Sequence, residues 1–151
     1  MKKICWLIVF CLTVGLSAQA LRVGEAEVEV HLNLRYDVIA LARLAGQDDA
    51  ATILAGLAQQ DFLLRGALGA VASEAEDPYQ LIVTLQSAAW QDDFDLQLFV
   101  IYLLVDDPAF DEYFRGMEGQ QVMVLVHAPV LITDAAGQLA LLVRVRSLLA
   151  L

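Results

Sequence analysis

Phe62-Leu63-Leu64-Arg65-Gly66-Ala67-Leu68-Gly69-Ala70-Val71-Ala72-Ser73 is the stretch that decides the fold. It is long, apolar and β-like, yet two glycines interrupt it. Glycine inside a strand marks a bulge or a sharp bend. Strands that bend this strongly are what a small closed barrel requires. The stretch therefore predicts the first strand of a barrel, bent at Gly66 and Gly69 so that it serves both sides. At such a bend either glycine is expected to hold a backbone conformation that a Cβ makes costly.

The residues that follow fill in the rest of the barrel. Glu74-Ala75-Glu76-Asp77-Pro78 reads as a turn. Gln80 to Ser87 reads as a second strand, Ala88 to Asp93 as a connection and Asp95 to Val105 as a third strand. Asp106-Asp107-Pro108 starts a short helix, with Asp as cap and Pro in the first turn. Phe110, Tyr113, Phe114 and Met117 repeat at helical spacing there, and Gly116 and Gly119 close it. Gln120 to Leu131 is a fourth strand, Asp134 to Gly137 a turn and Gln138 to Leu149 a fifth. The order β-β-β-α-β-β is that of the OB-fold, a five-stranded Greek-key barrel.

Two segments carry a resemblance to a known family. Asp61-Phe62-Leu63-Leu64-Arg65-Gly66-Ala67-Leu68 resembles the first strand of the anticodon-binding-like (tRNA_anti-like) OB-fold proteins of secreted bacterial chains. Phe114-Arg115-Gly116-Met117-Glu118-Gly119-Gln120-Gln121-Val122-Met123-Val124 resembles their helix-to-strand-four segment. The resemblance spans the C-terminal two-thirds of the chain. It implies the barrel fold rather than any activity.

Upstream, Val28 to Leu34 alternates strictly, with Glu29, His31 and Asn33 on the polar face, which predicts a short half-exposed strand. Val38, Ile39, Leu41, Ala42 and Ala45 then recur at helical spacing, with Asp37 as N-cap and Gly46 as stop. Asp48 or Asp49 caps a second helix through Ala50, Ile53, Leu54, Leu57 and Ala58. An αα-hairpin over 37–60 is the simplest reading. The expected class is thus mainly β with N-terminal helices: an OB-like barrel over 62–151, preceded by a strand and helical segment over 21–61.

The third strand is apolar on both faces, with Leu96, Leu98, Val100, Tyr102 and Leu104 on one and Phe99, Ile101, Leu103 and Val105 on the other. A barrel strand facing water should be polar outside. The αα-hairpin is expected to cover that outside, or a partner subunit does so.

The first twenty residues read differently. Met1-Lys2-Lys3 is positive, Ile4 to Leu16 is nearly unbroken apolar sequence, and Ala18 and Ala20 match the small-residue rule for cleavage. This is a secretory signal peptide over 1–20, too short to span a bilayer comfortably. Cleavage would start the protein at Leu21 in the periplasm or outside the cell, with no transmembrane span. An uncleaved anchor is the other reading. Cys5 and Cys11, the only cysteines, would leave with the signal, and so would both lysines. Seven arginines then face nineteen acids, a net charge of −12. Phosphate backbones are neutralised by Lys and Arg, so nucleic acid is an unlikely partner on this count.

Chemical motifs are scarce. His31 and His127 have no ligand partners at metal spacing, and no H-E-x-x-H, G-x-S-x-G, P-loop or G-x-G-x-x-G occurs. Asp92, Asp93 and Asp95 lack the spacing of a calcium loop. No catalytic residue, metal or cofactor is expected. Tyr79, Trp90, Phe94 and Tyr102 cluster around strands two and three, where OB-folds bind, and are the candidate ligand-binding residues. Trp90 and Phe94 as plugs of a barrel end is the blander reading and the preferred one. The functional expectation is a non-catalytic, exported binding or assembly module for a protein or small ligand, with a protein partner or self-association through the apolar barrel surface. The alternatives are a single-stranded nucleic-acid or oligosaccharide binder by OB-fold analogy, or a small envelope hydrolase with an unrecognised site.

Overall fold

A computed structural model describes residues 31–150. The expected signal peptide, its cleavage point and the first part of the alternating strand lie outside the described residues. Of that strand, only β1 (Leu32–Asn33) pairs here, parallel to the start of β2 (Asp61–Glu76). β2 takes β5 on one side over Asp61 to Ala67, and on the other it begins pairing with β3 at Ala67.

The αα-hairpin is present as α1 (Val38–Leu44) and α2 (Ala50–Leu57). Asp37 caps α1, its Oδ1 accepting the Ala40 N–H at 2.7 Å, one of the donors a helix start leaves without a partner. Asp49 stands at the N-cap of α2, and its backbone carbonyl, not its side chain, accepts from Thr52 and Ile53.

β2, β3 (Tyr79–Trp90), β4 (Leu96–Val105), β5 (Gln121–Thr133) and β6 (Leu139–Ala150) form the barrel. Their order is β2-β3-β4-β6-β5, and β5 pairs back to β2, which closes the ring. β4 and β6 run parallel while the other neighbours in the ring are antiparallel. A 3₁₀ turn (Pro108–Phe110) and α3 (Asp111–Gly116) carry the chain from β4 across to β5. This is the five-stranded OB-type Greek-key barrel that the strand order implied.

β2 changes partner at Ala67, which pairs with Gln121 of β5 and Gln86 of β3. The bend lies between Gly66 and Gly69, as expected, but the reason for the glycines is space. A Cβ on Gly66 would stand 2.6 Å from the Gln86 carbonyl oxygen, and one on Gly69 would run into the Thr84 hydroxyl and the Gln86 amide. The left-handed backbone falls elsewhere, at Gly119 (φ 78°), Gly137 (φ 79°) and Ala128 (φ 50°).

Inward-facing positions follow the period of two. Leu64, Leu81, Val83, Leu85, Ile101, Leu103, Val122, Val124, Leu141 and Val143 are fully buried. Each such side chain contributes about 1.5–3 kcal/mol over its exposed state. Val38, Leu41, Leu44, Leu54 and Leu57 of the hairpin join the same cluster, as does Phe114 of α3. The Arg43 guanidinium of α1 lies over Phe99, near the start of β4. Phe114 belongs to the helix that follows Val105, at the other end of β4, about 20 Å away along the strand. The helices therefore extend the core at the two ends of the barrel. They leave the Leu96 and Leu98 end of the outer face of β4 exposed, with Val100, Tyr102 and Leu104 half-buried, so the hairpin does not lie across the whole face as expected.

Candidate functional site

β3 and β4 pair over their whole length, from Leu81–Val105 to Trp90–Leu96. Their barrel neighbours stop earlier: β2 pairs with β3 only up to Gln86, and β6 meets β4 only at Tyr102 to Leu104. Beyond those points the two strands continue as an arm, closed by a turn at 91–95. Asp92 builds that turn, its Oδ1 accepting the N–H groups of Phe94 and Asp95, both at 3.0 Å. Gln91 N–H donates to the Asp95 carbonyl oxygen at 2.8 Å.

The arm places Trp90 and Phe94 in solvent, 67% and 95% exposed, with Leu96 and Leu98 beside them. The reading of these two aromatics as barrel plugs is thereby corrected, because α1 and α3 already fill the ends and the arm carries Trp90 away from them. Tyr102 shares the outer face of β4, opposite Thr84 and Leu142, and is half-buried. Tyr79 sits at the far end of β3. Its hydroxyl donates to Asp111 Oδ1 at 2.6 Å, and burial followed by this bond pushes its pKa up to about 12. The same bond, with Arg115, holds Asp111 below the usual carboxylate range. Arg115 also reaches Glu74 at 2.6 Å, so Tyr79 braces the β2–β3 turn against α3. The structure thus places Trp90 and Tyr102 on the outer face of the β3–β4 pair and Phe94 in the turn that closes the arm, and sets Tyr79 apart.

Two grooves flank the outer face of β4 and share Leu98. The first, about 480 Å³, lies where β2 parts from the arm and is lined by Arg65, Gln86, Ser87 and Gln121 among others. The second, about 420 Å³, lies between α1, β4 and the β5–β6 turn, and is lined by Arg43, Gln97, Tyr102, Asp134 and Gln138 among others. None of these groove residues except Tyr102 stood out in the sequence.

Charge is distributed unevenly. β3, β4, β5 and β6 contain no Asp or Glu; among the described residues the acids sit in turns, helices, loops and the ends of β2. Arg144 pairs with Asp106 at 3.2 Å. Arg146 contacts the buried Asp61 at 2.8 Å, an ion pair off the hydrogen-bond axis. Arg65, by contrast, makes no ion pair among the described residues, and Arg43 lies over the Phe99 ring, 4.9 Å from its centroid. His127 is half-buried on the outer face of β5, with its pKa lowered by burial and then by Arg146. Among the described residues no three His, Cys, Asp or Glu side chains are grouped to hold a metal, and no helix is long and apolar enough to cross a membrane.

No protein-family model matches the chain, and no curated protein shows detectable sequence relationship to it. Solved structures similar to it in fold include Rim1, a mitochondrial single-stranded DNA binding protein of S. cerevisiae, at 14% identity and a TM-score of 0.43. That match covers 61% of this chain and 94% of the other. A small single-stranded DNA binding protein of Mycoplasma pneumoniae matches at 5% identity and 0.45, over 59% and 90% of the two chains. The Plasmodium falciparum SSB in complex with single-stranded DNA matches at 14% and 0.42, over 60% and 93%. The likeness is to an OB-fold barrel, and the narrower resemblance to secreted anticodon-binding-like proteins is not among these matches.

The expectation that nucleic acid is an unlikely partner is corrected here. The three similar structures named above are of single-stranded DNA binding proteins. The physical flaw lay in using net charge as if it were spread evenly: the acids are absent from the four strands whose outer faces the grooves adjoin.

Proposed function

We propose that this chain is an exported, non-catalytic binder of single-stranded nucleic acid. The strand lies across the outer face of β3 and β4, from the arm to the two grooves. One observation carries the reading: an acid-free barrel face has exposed Trp90 on its arm and an arginine without a carboxylate partner in each flanking groove. Aromatic rings stack on bases of any sequence, and cations track the backbone. Strands two and three are also the usual binding face of OB-folds.

Only two such arginines border the face, and Asp92, Asp93 and Asp95 crowd the arm tip. Binding is therefore stacking-led, with weak salt dependence. Titrating a fluorescein-labelled twenty-nucleotide oligothymidylate with the full chain, read by anisotropy, tests this. Saturable binding that Trp90→Ala weakens is expected. Binding of a neutral oligosaccharide in place of DNA would replace the reading with a saccharide-binding one. Export is tested separately: N-terminal sequencing of the protein recovered from a secreting bacterium should begin at Leu21, and retention of Met1 to Ala20 would contradict it.

A further inference from the structure

The second groove holds more chemistry than backbone tracking needs. Helix α1, which precedes the barrel in the chain, forms one wall through Ala42 and Arg43, continued by Gly46 just past its end. Opposite it stands the β5–β6 turn, set by Asp134. Asp134 Oδ1 accepts from the N–H groups of Ala136 and Gln138, both at 2.9 Å. The Asp134 N–H donates to the Gln138 carbonyl oxygen at 2.9 Å, and its own carbonyl accepts from the Gly137 N–H at 3.0 Å. One carboxylate oxygen is thus committed to the turn and the carboxylate is fixed in place. Its Oδ2 takes no partner among the described residues. Across the groove the Arg43 guanidinium rests over Phe99 and forms no ion pair with Asp134.

A fixed acceptor and a free guanidinium fork therefore line one cavity, unpaired with each other, and Tyr102 lines it with them. We propose that this groove seats a guanine base. Guanine alone among the common bases joins two adjacent N–H donors, N1 and N2, to two adjacent acceptors, O6 and N7. Arginine meets O6 and N7 in the bidentate manner, and Asp134 Oδ2, the oxygen the turn leaves open, accepts from both N1–H and N2–H. Adenine offers an N–H₂ group where Arg43 needs an acceptor. Cytosine has one donor group for Asp134, and thymine has a single ring N–H between two carbonyls. The inference rests on the nucleic-acid reading for its biological setting, but the base seat itself is a property of this groove.

The test uses the full chain, with two probes and one conservative variant. In calorimetric titration, guanosine monophosphate should bind about tenfold or more tightly than the adenosine, cytidine and uridine monophosphates, within the range of a good bidentate pair. An oligothymidylate carrying one guanine should likewise bind more tightly than the plain tract. Asp134→Asn keeps the Oδ1 acceptor that caps the turn, so its thermal midpoint should match the parent protein. It should abolish the guanine preference, while plain-tract binding, with one acid fewer beside the strand, should be no weaker than the parent's. Equal binding of all four monophosphates, or a preference that survives Asp134→Asn, overturns the guanine seat while leaving strand binding standing. A guanosine preference without any strand binding would uphold the seat and refute the proposed function.

Discussion

Gly66 and Gln86 approach so closely that a Cβ on the glycine would stand 2.6 Å from the glutamine's backbone carbonyl oxygen. That oxygen belongs to β3, which β2 meets just where it turns away from β5. Backbone cannot move aside as a side-chain end can. Gly66→Ala should therefore cost about 2–3 kcal/mol in a urea titration, as overpacking does. Gly69→Ala meets the ends of the Thr84 and Gln86 side chains, which can rotate, and should cost less. Gly137 has open space but φ 79°, so Gly137→Ala should cost about 1 kcal/mol. Equal losses at Gly66 and Gly69 would mean that β2 does not bend against β3.

Asp61 is buried at the start of β2, where Oδ2 accepts the His31 N–H at 3.1 Å and Oδ1 faces Arg146. Asp61→Ala would strand the mostly buried guanidinium and release β1. A loss of about 3 kcal/mol is expected, the usual effect of breaking a buried pair. A loss under about 0.5 kcal/mol, the scale of an ordinary surface change, would contradict this role.

Tyr79 and Asp111 give stability a pH dependence at both extremes. The Tyr79 pKa is raised in the folded chain to about 12 from 10.0, so the protonated phenol is the form the fold favours. Its contribution is complete below pH 10 and is lost as pH rises toward 12. Asp111 is lowered from 3.8, so its contribution is present above that value and is lost as pH falls below it. Tyr79→Phe should flatten the alkaline limb of the stability profile. In ultraviolet titration, one tyrosine fewer should ionise above the ordinary range. An unchanged alkaline limb would show that the Tyr79–Asp111 bond does not persist in solution.

Much of the barrel is legible in the sequence because its signals are local. Alternation, the Asp-Pro helix start and the glycine bend each read within a dozen residues, and β3 to β6 fall within a few residues of where they are expected. What the sequence does not show is set by tertiary closure. Val28 to Leu34 alternates like a strand, yet among the described residues only Leu32 and Asn33 pair, with the first two residues of β2. The apolar stripe of α1 is visible, but whether it covers a face or plugs an end depends on where Phe99 opens the barrel. Trp90 looks like core material until β2 is seen to stop at Gln86. The second groove was hidden for the same reason, since Arg43 and Asp134 lie 91 positions apart in the chain. The absence of acids from β3 to β6 was readable and would have qualified the argument from net charge.

Trp90 contributes little to the fold because it is exposed on the arm. Trp90→Ala should leave the unfolding free energy within about 0.5 kcal/mol of the parent. It should weaken single-stranded DNA binding by about 1–3 kcal/mol, the value of one stacked base. A large stability loss would mean that the arm folds back onto the barrel.

The salt dependence of oligothymidylate binding, compared between the parent chain and Arg65→Gln, bears most directly on the account. On a tract without guanine the Arg43 fork is free for the backbone, so with Arg65 and Arg43 as the two phosphate contacts log affinity should fall against log salt with a slope of about −1.4, at −0.7 per contact on a single strand. Arg65→Gln should halve that slope and weaken binding at every salt concentration. No saturable binding at about 50 mM salt, or a slope that Arg65→Gln leaves unchanged, would contradict the assignment of this face to single-stranded nucleic acid.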